Sequence, residues 1–471
     1  MRTIHVARQS TSILLSILAA ILCVTGLAAF CQSATHPSAG LEHDFEQAMT
    51  AEDNGDLDRA EALLSKIHDS HPGIFAVDES LGLLLAKRGD ASRALRFLKA
   101  AIREKPSSDA AHANLGAALY SLHRNRDAAA EFQRAVQLNP SNESAQQSLG
   151  RVLMEEQKPA DAATALTAAL RLSPSDADLQ LDCATALLAA NRLGDARRIL
   201  DNFADADNSA RAQSLMGEAD ELGKNFSSAG RHFNRAVELE PSEENAWLLS
   251  LELLRHWAFD AAAIELEAAS AKFPDSKRMR LGLGAAFFGA TKYPQAVSVF
   301  ADLLESEPDN AMDADLLGIS CNALIAEPRP RCETLVRYAQ SHLSDARASG
   351  YAAAFLLHQS NSEAQRPLVR KLLEAGLSAR PQLPEIQYQM GTFLQDDGMW
   401  KDSIPFLERA IKLKPDYSQA HYHLALAYWR TGRKQEGQEQ MELQKKFSRQ
   451  EQDDLNQRLR QITTFLGAGP N

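Results

Sequence analysis

Apolar residues recur along most of this chain at intervals of three and four, stop at a turn, and begin again. In the stretch around "EFQRAVQLNP" (131–140), Ala128, Phe132, Ala135 and Val136 fall at the i, i+4, i+7 and i+8 places of a helix with one buried face. Nearly the same phrase returns as "FLKAAIREKP" (97–106), "ALTAALRLSP" (165–174), "HFNRAVELEP" (232–241) and "FLERAIKLKP" (406–415), each closing on proline. Proline donates no backbone hydrogen bond and disfavours helix in the residue before it, so each phrase ends there. Capping and acidic residues follow: Ser141-Asn142-Glu143, Ser175-Asp176, Ser242-Glu243-Glu244 and Asp309-Asn310. They satisfy open amides and complement the positive end of a new helix. A short turn, often with glycine (Gly55, Gly89, Gly223, Gly398, Gly432), separates this first helix from a second. The predicted element is helix–turn–helix.

The element keeps time. Prolines stand at 72, 106, 140 and 174, each 34 apart, and Asn208 fills the next beat. Pro241, Pro274 and Pro308 continue it; after a gap of 73 residues, room for two elements, Pro381 and Pro415 resume the step. A fixed period of this length predicts a solenoid of stacked supersecondary units. Gly82, Gly116, Gly150, Gly217, Gly284, Gly318 and Gly391 recur in the middle of first helices. Mid-helix glycine costs about 1 kcal/mol relative to alanine, so the repetition predicts close approach of the paired second helix. The small residues expected to face these glycines are Ala60, Ala94, Ala128, Ala162, Ala196, Ala229 and Ala296.

Leucine–glycine in the first helix, alanine and then a bulky residue four later in the second, and a final proline together resemble the tetratricopeptide repeat. "ANLGAALYSLHRNRDAAAEFQRAVQLNP" (113–140) carries the motif at Leu115, Gly116, Ala128, Phe132, Ala135 and Pro140, with Leu119 in the family's usual tyrosine place. "YQMGTFLQDDGMWKDSIPFLERAIKLKP" (388–415) carries it at Gly391, Ala410 and Pro415, with Met390 and Leu407 as bulky stand-ins. The resemblance implies an all-α fold, a right-handed superhelical solenoid of about eleven helix-turn-helix repeats with a C-terminal capping helix. Regular repeats are expected over 41–308 and 381–436, degenerate ones over 309–380, and the cap and tail over 437–471. In the degenerate stretch "AEPRPRC" interrupts one repeat, and Pro367 is expected in the first turn of another's second helix. The cap carries Leu455, Leu459, Ile462 and Leu466 in a stripe that would cover the end of the stack.

The first residues belong to another pattern. Arg2 and Arg8 precede the almost wholly apolar "ILLSILAAILCVTGLAAF" (13–30), and small or polar residues follow, the layout of a secretory signal peptide over 1–33 with a linker over 34–40. Export to the periplasm or beyond is therefore expected. Retained, 13–30 would reach the lower limit of a bilayer span and anchor the chain in the inner membrane, the only membrane contact expected. Cleavage would take the net charge from −12 to −14. That balance argues against a nucleic-acid partner, since phosphate binding calls for a basic surface.

Nothing nominates catalysis. The chain has no HExxH, GxSxG, Walker A or GxGxxG signature. His421 and His423 in "HYH" sit two apart, on different sides of a helix, with no third ligand evident. No catalytic residue, cofactor or metal is expected. The family resemblance implies a different use: first helices lining a concave groove that binds a peptide or protein partner. The places where chaperone-tail-binding members carry a lysine–asparagine carboxylate clamp hold Ala113 and Ala117, Gln147 and Arg151, Leu181 and Thr185, Tyr388 and Thr392, and Tyr422 and Leu426. The clamp is missing. Glu218, Glu221 and Glu252, with Arg255 nearby, make the middle of the expected groove acidic. Near its C-terminal end Tyr388, Thr392, Gln395, Tyr422, Trp429 and Arg430 form the candidate partner-binding set, rich in the residue types of binding hot spots, with packing of Tyr422 and Trp429 against the neighbouring helix as the alternative.

Three cysteines remain beyond the signal: Cys183, Cys321 and Cys332. Cys321 comes late in a first helix and Cys332 falls about where a contact alanine usually sits. The two are a candidate disulfide, which export would preserve. The sequence thus reads as an exported, non-catalytic interaction scaffold. A membrane-tethered assembly factor is the alternative, and an enzyme on a helical scaffold a further one.

Overall fold

A computed structural model of the chain describes residues 37–324, 331–359 and 362–467, and these hold α-helices, one short 3-10 turn and no strand. The expected signal (1–33) and residues 325–330, which hold most of the "AEPRPRC" interruption, lie outside the described residues, as do the side chains of Leu455, Leu459, Ile462 and Leu466. No described helix is long and apolar enough to cross a membrane. The chain clusters into two compact units, one up to Val152 and one from Leu153.

The first unit contains α1 (Pro37–Asp53), α2 (Leu57–Ser70), α3 (Phe75–Lys87), α4 (Ala91–Glu104), α5 (Asp109–Ser121), α6 (Asn125–Leu138) and most of α7 (Glu143–Glu155). The second continues with α8 (Pro159–Leu172), α9 (Ala177–Ala189), α10 (Leu193–Leu200), α11 (Ala210–Leu222), α12 (Phe226–Leu239), α13 (Glu243–Arg255), α14 (Phe259–Lys272), α15 (Lys277–Gly289) and α16 (Tyr293–Ser306). It ends with α17 (Ala311–Ala323), α18 (Glu333–Ser341), α19 (Ala346–Leu357), α20 (Ser362–Ala379), α21 (Pro384–Asp396), α22 (Trp400–Leu413), α23 (Ser418–Arg430) and α24 (Lys434–Gly467). Odd-numbered helices are first helices and even-numbered ones second. Helix α1 already begins inside the stretch expected to be a linker.

Ten of the turns from a first to a second helix are three residues long, and the middle residue always has φ between 56° and 84°. The third residue donates its N–H five residues back, as Asp56 to the Ala51 carbonyl at 2.9 Å and Lys292 to that of Phe287 at 2.8 Å. This is the Schellman ending, which needs a left-handed residue just past the helix. Gly55, Gly89, Gly398 and Gly432 take that place, but Gly223 does not: it stands first in its turn, and Lys224 carries the positive φ. Five more turns also force a side chain there: His123, Gln157, Asn191, Trp257 and Thr291. Thr291 is exposed and β-branched, the worst case for φ > 0. Thr291→Gly should raise stability by about 0.5–1 kcal/mol, relief of left-handed strain partly offset by a freer unfolded chain. A urea midpoint that falls on this substitution would contradict the account.

The mid-helix glycines have a different partner from the one expected. In the first unit a Cβ on Gly116 would lie 2.9 Å from the Phe132 ring, and one on Gly82 would lie 2.6 Å from Leu98 Cγ. In the second unit Gly217 stands against Phe233, Gly284 against Phe300 and Gly391 against Leu407. Each glycine thus receives the bulky residue four places beyond the small one, while Ala94, Ala128, Ala229 and Ala296 are fully buried alongside. Gly318 departs from the rule. It makes room for Tyr351 of the next first helix, because α18 begins only at Glu333 and offers no ring in time.

The degenerate stretch holds one further departure and one expected bond. Helix α20 has 18 residues and starts at Ser362, so Pro367 lies in its second turn rather than its first. Cys321 in α17 and Cys332 capping α18 are both fully buried and joined by a disulfide, their Cα atoms 5.9 Å apart.

A polar side chain closes six of the joints between repeats. In the first unit the His112 imidazole donates to the Pro106 carbonyl at 3.2 Å, and Gln146 to that of Pro140 at 3.4 Å. In the second, Gln180 grips Pro174 at 2.6 Å, Gln387 grips Pro381 at 2.7 Å and His421 grips Pro415 at 2.9 Å. Where the proline is missing, Gln213 bonds the Ala206 carbonyl at 2.9 Å. The proline carbonyls lie just past the helix ends, outside the intrahelical ladder, and the side chains supply their donors.

Candidate functional site

The C-terminal first helices bring several of the nominated residues together. Tyr388 is half-buried on α21, its ring 5.0 Å from that of Tyr417, which caps α23, and 5.6 Å from that of His423. Tyr422 stands edge-on to His423 at 5.4 Å and is 43% exposed. Gln395 clasps His423 twice: its Nε2 donates to the His423 carbonyl at 2.8 Å, and its Oε1 accepts from Nδ1 at 2.8 Å. Burial lowers the His423 pKa, which favours the neutral ring. Burial, helped by Asp396, pushes the Tyr388 phenol up to about 12, and burial with Tyr388 pushes Tyr417 up as well. Near neutral pH the cluster is therefore an uncharged aromatic set, locked from below by an amide clasp.

The other nominated residues fare differently. Gln395 is only 6% exposed, so it positions His423 instead of meeting a partner. The helical period gave its side of α21 correctly but not its depth. Thr392 turns its hydroxyl to the Gln389 carbonyl at 3.0 Å. Trp429, 37% exposed, lies over Gly437 at the start of α24, and the Arg430 guanidinium stacks 5.3 Å above the Trp400 ring. These two contact the flanking second helices. Tyr417 and His423, missed as contributors, stand five residues before and one residue after the nominated Tyr422. Their only sequence signal was the aromatic density of "DYSQAHYH" (416–423).

His421 and His423 do part company as their spacing requires. His421 is buried and engages Pro415 and Gln440, while His423 faces Gln395. In the expected acidic middle, burial raises the Glu218 pKa, and Arg255 draws it down less. Glu252 is fully buried and does not meet solvent, which corrects the expectation that it lines the acidic middle of the groove.

Profiles described as tetratricopeptide repeat match residues 153–219, and a second such profile matches 45–109, 81–143, 113–177, 248–311 and 388–437. No curated protein matches the sequence. Among solved structures, YrrB, described as a TPR protein with an unusual peptide-binding site, aligns at 20% identity and TM-score 0.37 over 39% of this chain and 94% of its own. Pseudomonas aeruginosa pilF aligns at 20% identity and TM-score 0.37 over 44% of this chain and 95% of its own. Naa15/Naa10 bound to HypK-THB aligns at 14% identity and TM-score 0.36 over 86% and 68%. The profile matches span more than half of the sequence, and they fall on helix pairs with glycine-to-ring contacts, proline-closed second helices and a 34-residue beat. The chain belongs to the tetratricopeptide repeat family.

Proposed function

We propose that this protein is an exported, non-catalytic scaffold that takes a peptide or protein partner on the first helices of its C-terminal repeats. Family membership supports the interaction role, and the apolar segment 13–30 behind Arg2 and Arg8 supports export. The observation that carries the site is Tyr422, 43% exposed and backed by His423, whose ring Gln395 holds. A large amphipathic ring already fixed in place loses little entropy on contact, which favours it as an anchor.

Mature protein used as bait in the organism's envelope fraction should recover partners that Tyr422→Ala loses by at least about tenfold, as expected of a hot-spot residue. Helical content should stay unchanged, since the ring is exposed. Undiminished recovery with Tyr422→Ala would remove this face from consideration. The same preparation reports on export: the mature N-terminus should fall between residues 32 and 35, in the soluble fraction. Met1 retained in membranes would favour the tethered assembly factor, and lipid on Cys31 would overturn soluble export.

A further inference from the structure

In the second unit, three side chains from neighbouring first helices converge away from the tyrosine cluster. Glu221 lies at the end of α11, Glu252 in the last turn of α13, and His256 caps α13. His256 Nε2 is 3.0 Å from Glu221 Oε2 and 3.4 Å from Glu252 Oε1. One ligand atom from each of the three lies within 4.8 Å of the other two. The Phe226 ring, 4.2 Å from the imidazole, buttresses it.

Glu252 sets this cluster apart from an ordinary acidic surface. It is fully buried, and neither carboxylate oxygen has a hydrogen-bond partner. A buried carboxylate whose neighbouring imidazole stands 3.4 Å off without a hydrogen bond is costly for a fold to hold. Two carboxylates and an imidazole converging on one point, one of the carboxylates fully buried, call for positive charge where the three side chains meet.

We propose that Glu221, Glu252 and His256 hold a divalent transition-metal ion, with Zn²⁺ the best match. An imidazole nitrogen with two carboxylates suits zinc, which takes three protein ligands and leaves a fourth place open. Calcium and magnesium want six or more oxygens and no nitrogen. The Glu221 and His256 side chains are 24% and 16% exposed, so the open place is on the solvent side, where water or a carboxylate of a docked partner can enter. Glu252 and His256 are one helical turn apart, while Glu221 is 35 residues before His256, about one repeat away. Stacking of consecutive repeats completes the ligand set.

The chain, stripped with EDTA and dialysed against Zn²⁺, should retain one ion per molecule by elemental analysis and show a raised Tm. Co²⁺ in its place should give visible d–d absorption. Glu252→Gln and His256→Ala should each weaken Zn²⁺ binding by at least about tenfold. Glu218→Gln, a nearby acid outside the set, should leave it unchanged. Glu252→Gln keeps the shape and removes a buried charge, so it reports even if His256→Ala misfolds. A wild-type chain that retains no zinc, or zinc retained equally by Glu252→Gln, overturns the site; in the first case a proton serves in its place.

Discussion

Phe300→Ala should remove about 3–5 kcal/mol from the repeats around it, the usual cost of emptying a buried phenylalanine site. Phe300 is 1% exposed on α16, and a Cβ on Gly284 of α15 would lie 2.5 Å from its ring. Gly284→Ala should therefore also destabilise, by about 1–3 kcal/mol, since it drives a methyl group into the ring. The two changes share one space, so Gly284→Ala combined with Phe300→Leu should cost less than the sum of the single changes. Strict additivity would show that the glycine has some other purpose. Because each repeat touches only its neighbours, hydrogen exchange should rise in α14–α17 and stay low in α21–α23. Equal loss of protection in every helix would contradict a solenoid.

Breaking the Cys321–Cys332 bond should cost about 3 kcal/mol, the loop-closure value for a ring of about a dozen residues. The loss should concentrate in α17 and α18, where the second helix is only 9 residues long and Gly318 lacks its usual ring. Cys332→Ala is the cleaner variant, since serine would bury a hydroxyl at a fully buried site. Cys183 provides an internal control: it is free and buried, and burial raises its thiol pKa. Alkylated after unfolding without reductant, protein isolated from its native source should be labelled at Cys183 alone among these three. Label at both Cys321 and Cys332 would end the idea of a native bond.

Much of this molecule can be read directly from its sequence. The proline beat locates the second helices, and the alanine-plus-four spacing supplies Phe132, Phe233 and Phe300, the rings that fill the glycine notches. The partner assigned to those notches was off by one helical turn, because a side chain on a helix covers the turn before its own Cα. Left-handed turns were visible only where glycine marks them. At His123 and Thr291 the helix-ending hydrogen bonds impose the same backbone on residues that disfavour it, so composition gives no sign. Depth was the other blind spot. Periodicity puts Gln395 and Glu252 on the correct faces, but only the packed neighbours decide that both are buried.

The side chains that grip the closing prolines bear on the order in which the chain acquires its shape. Gln146, Gln180, Gln387, His112 and His421 each reach a carbonyl six residues behind them. Such a clasp encloses so little chain that it closes with hardly any loop entropy to overcome. Each of these joints can therefore set the start of the next first helix before that helix has a partner to pack on. For a polypeptide emerging N-terminus first, the fold can advance one repeat at a time behind the point of emergence. A truncation after any complete repeat should then leave the preceding repeats folded, whereas replacing Gln180 with leucine should delay folding at that joint and those beyond it.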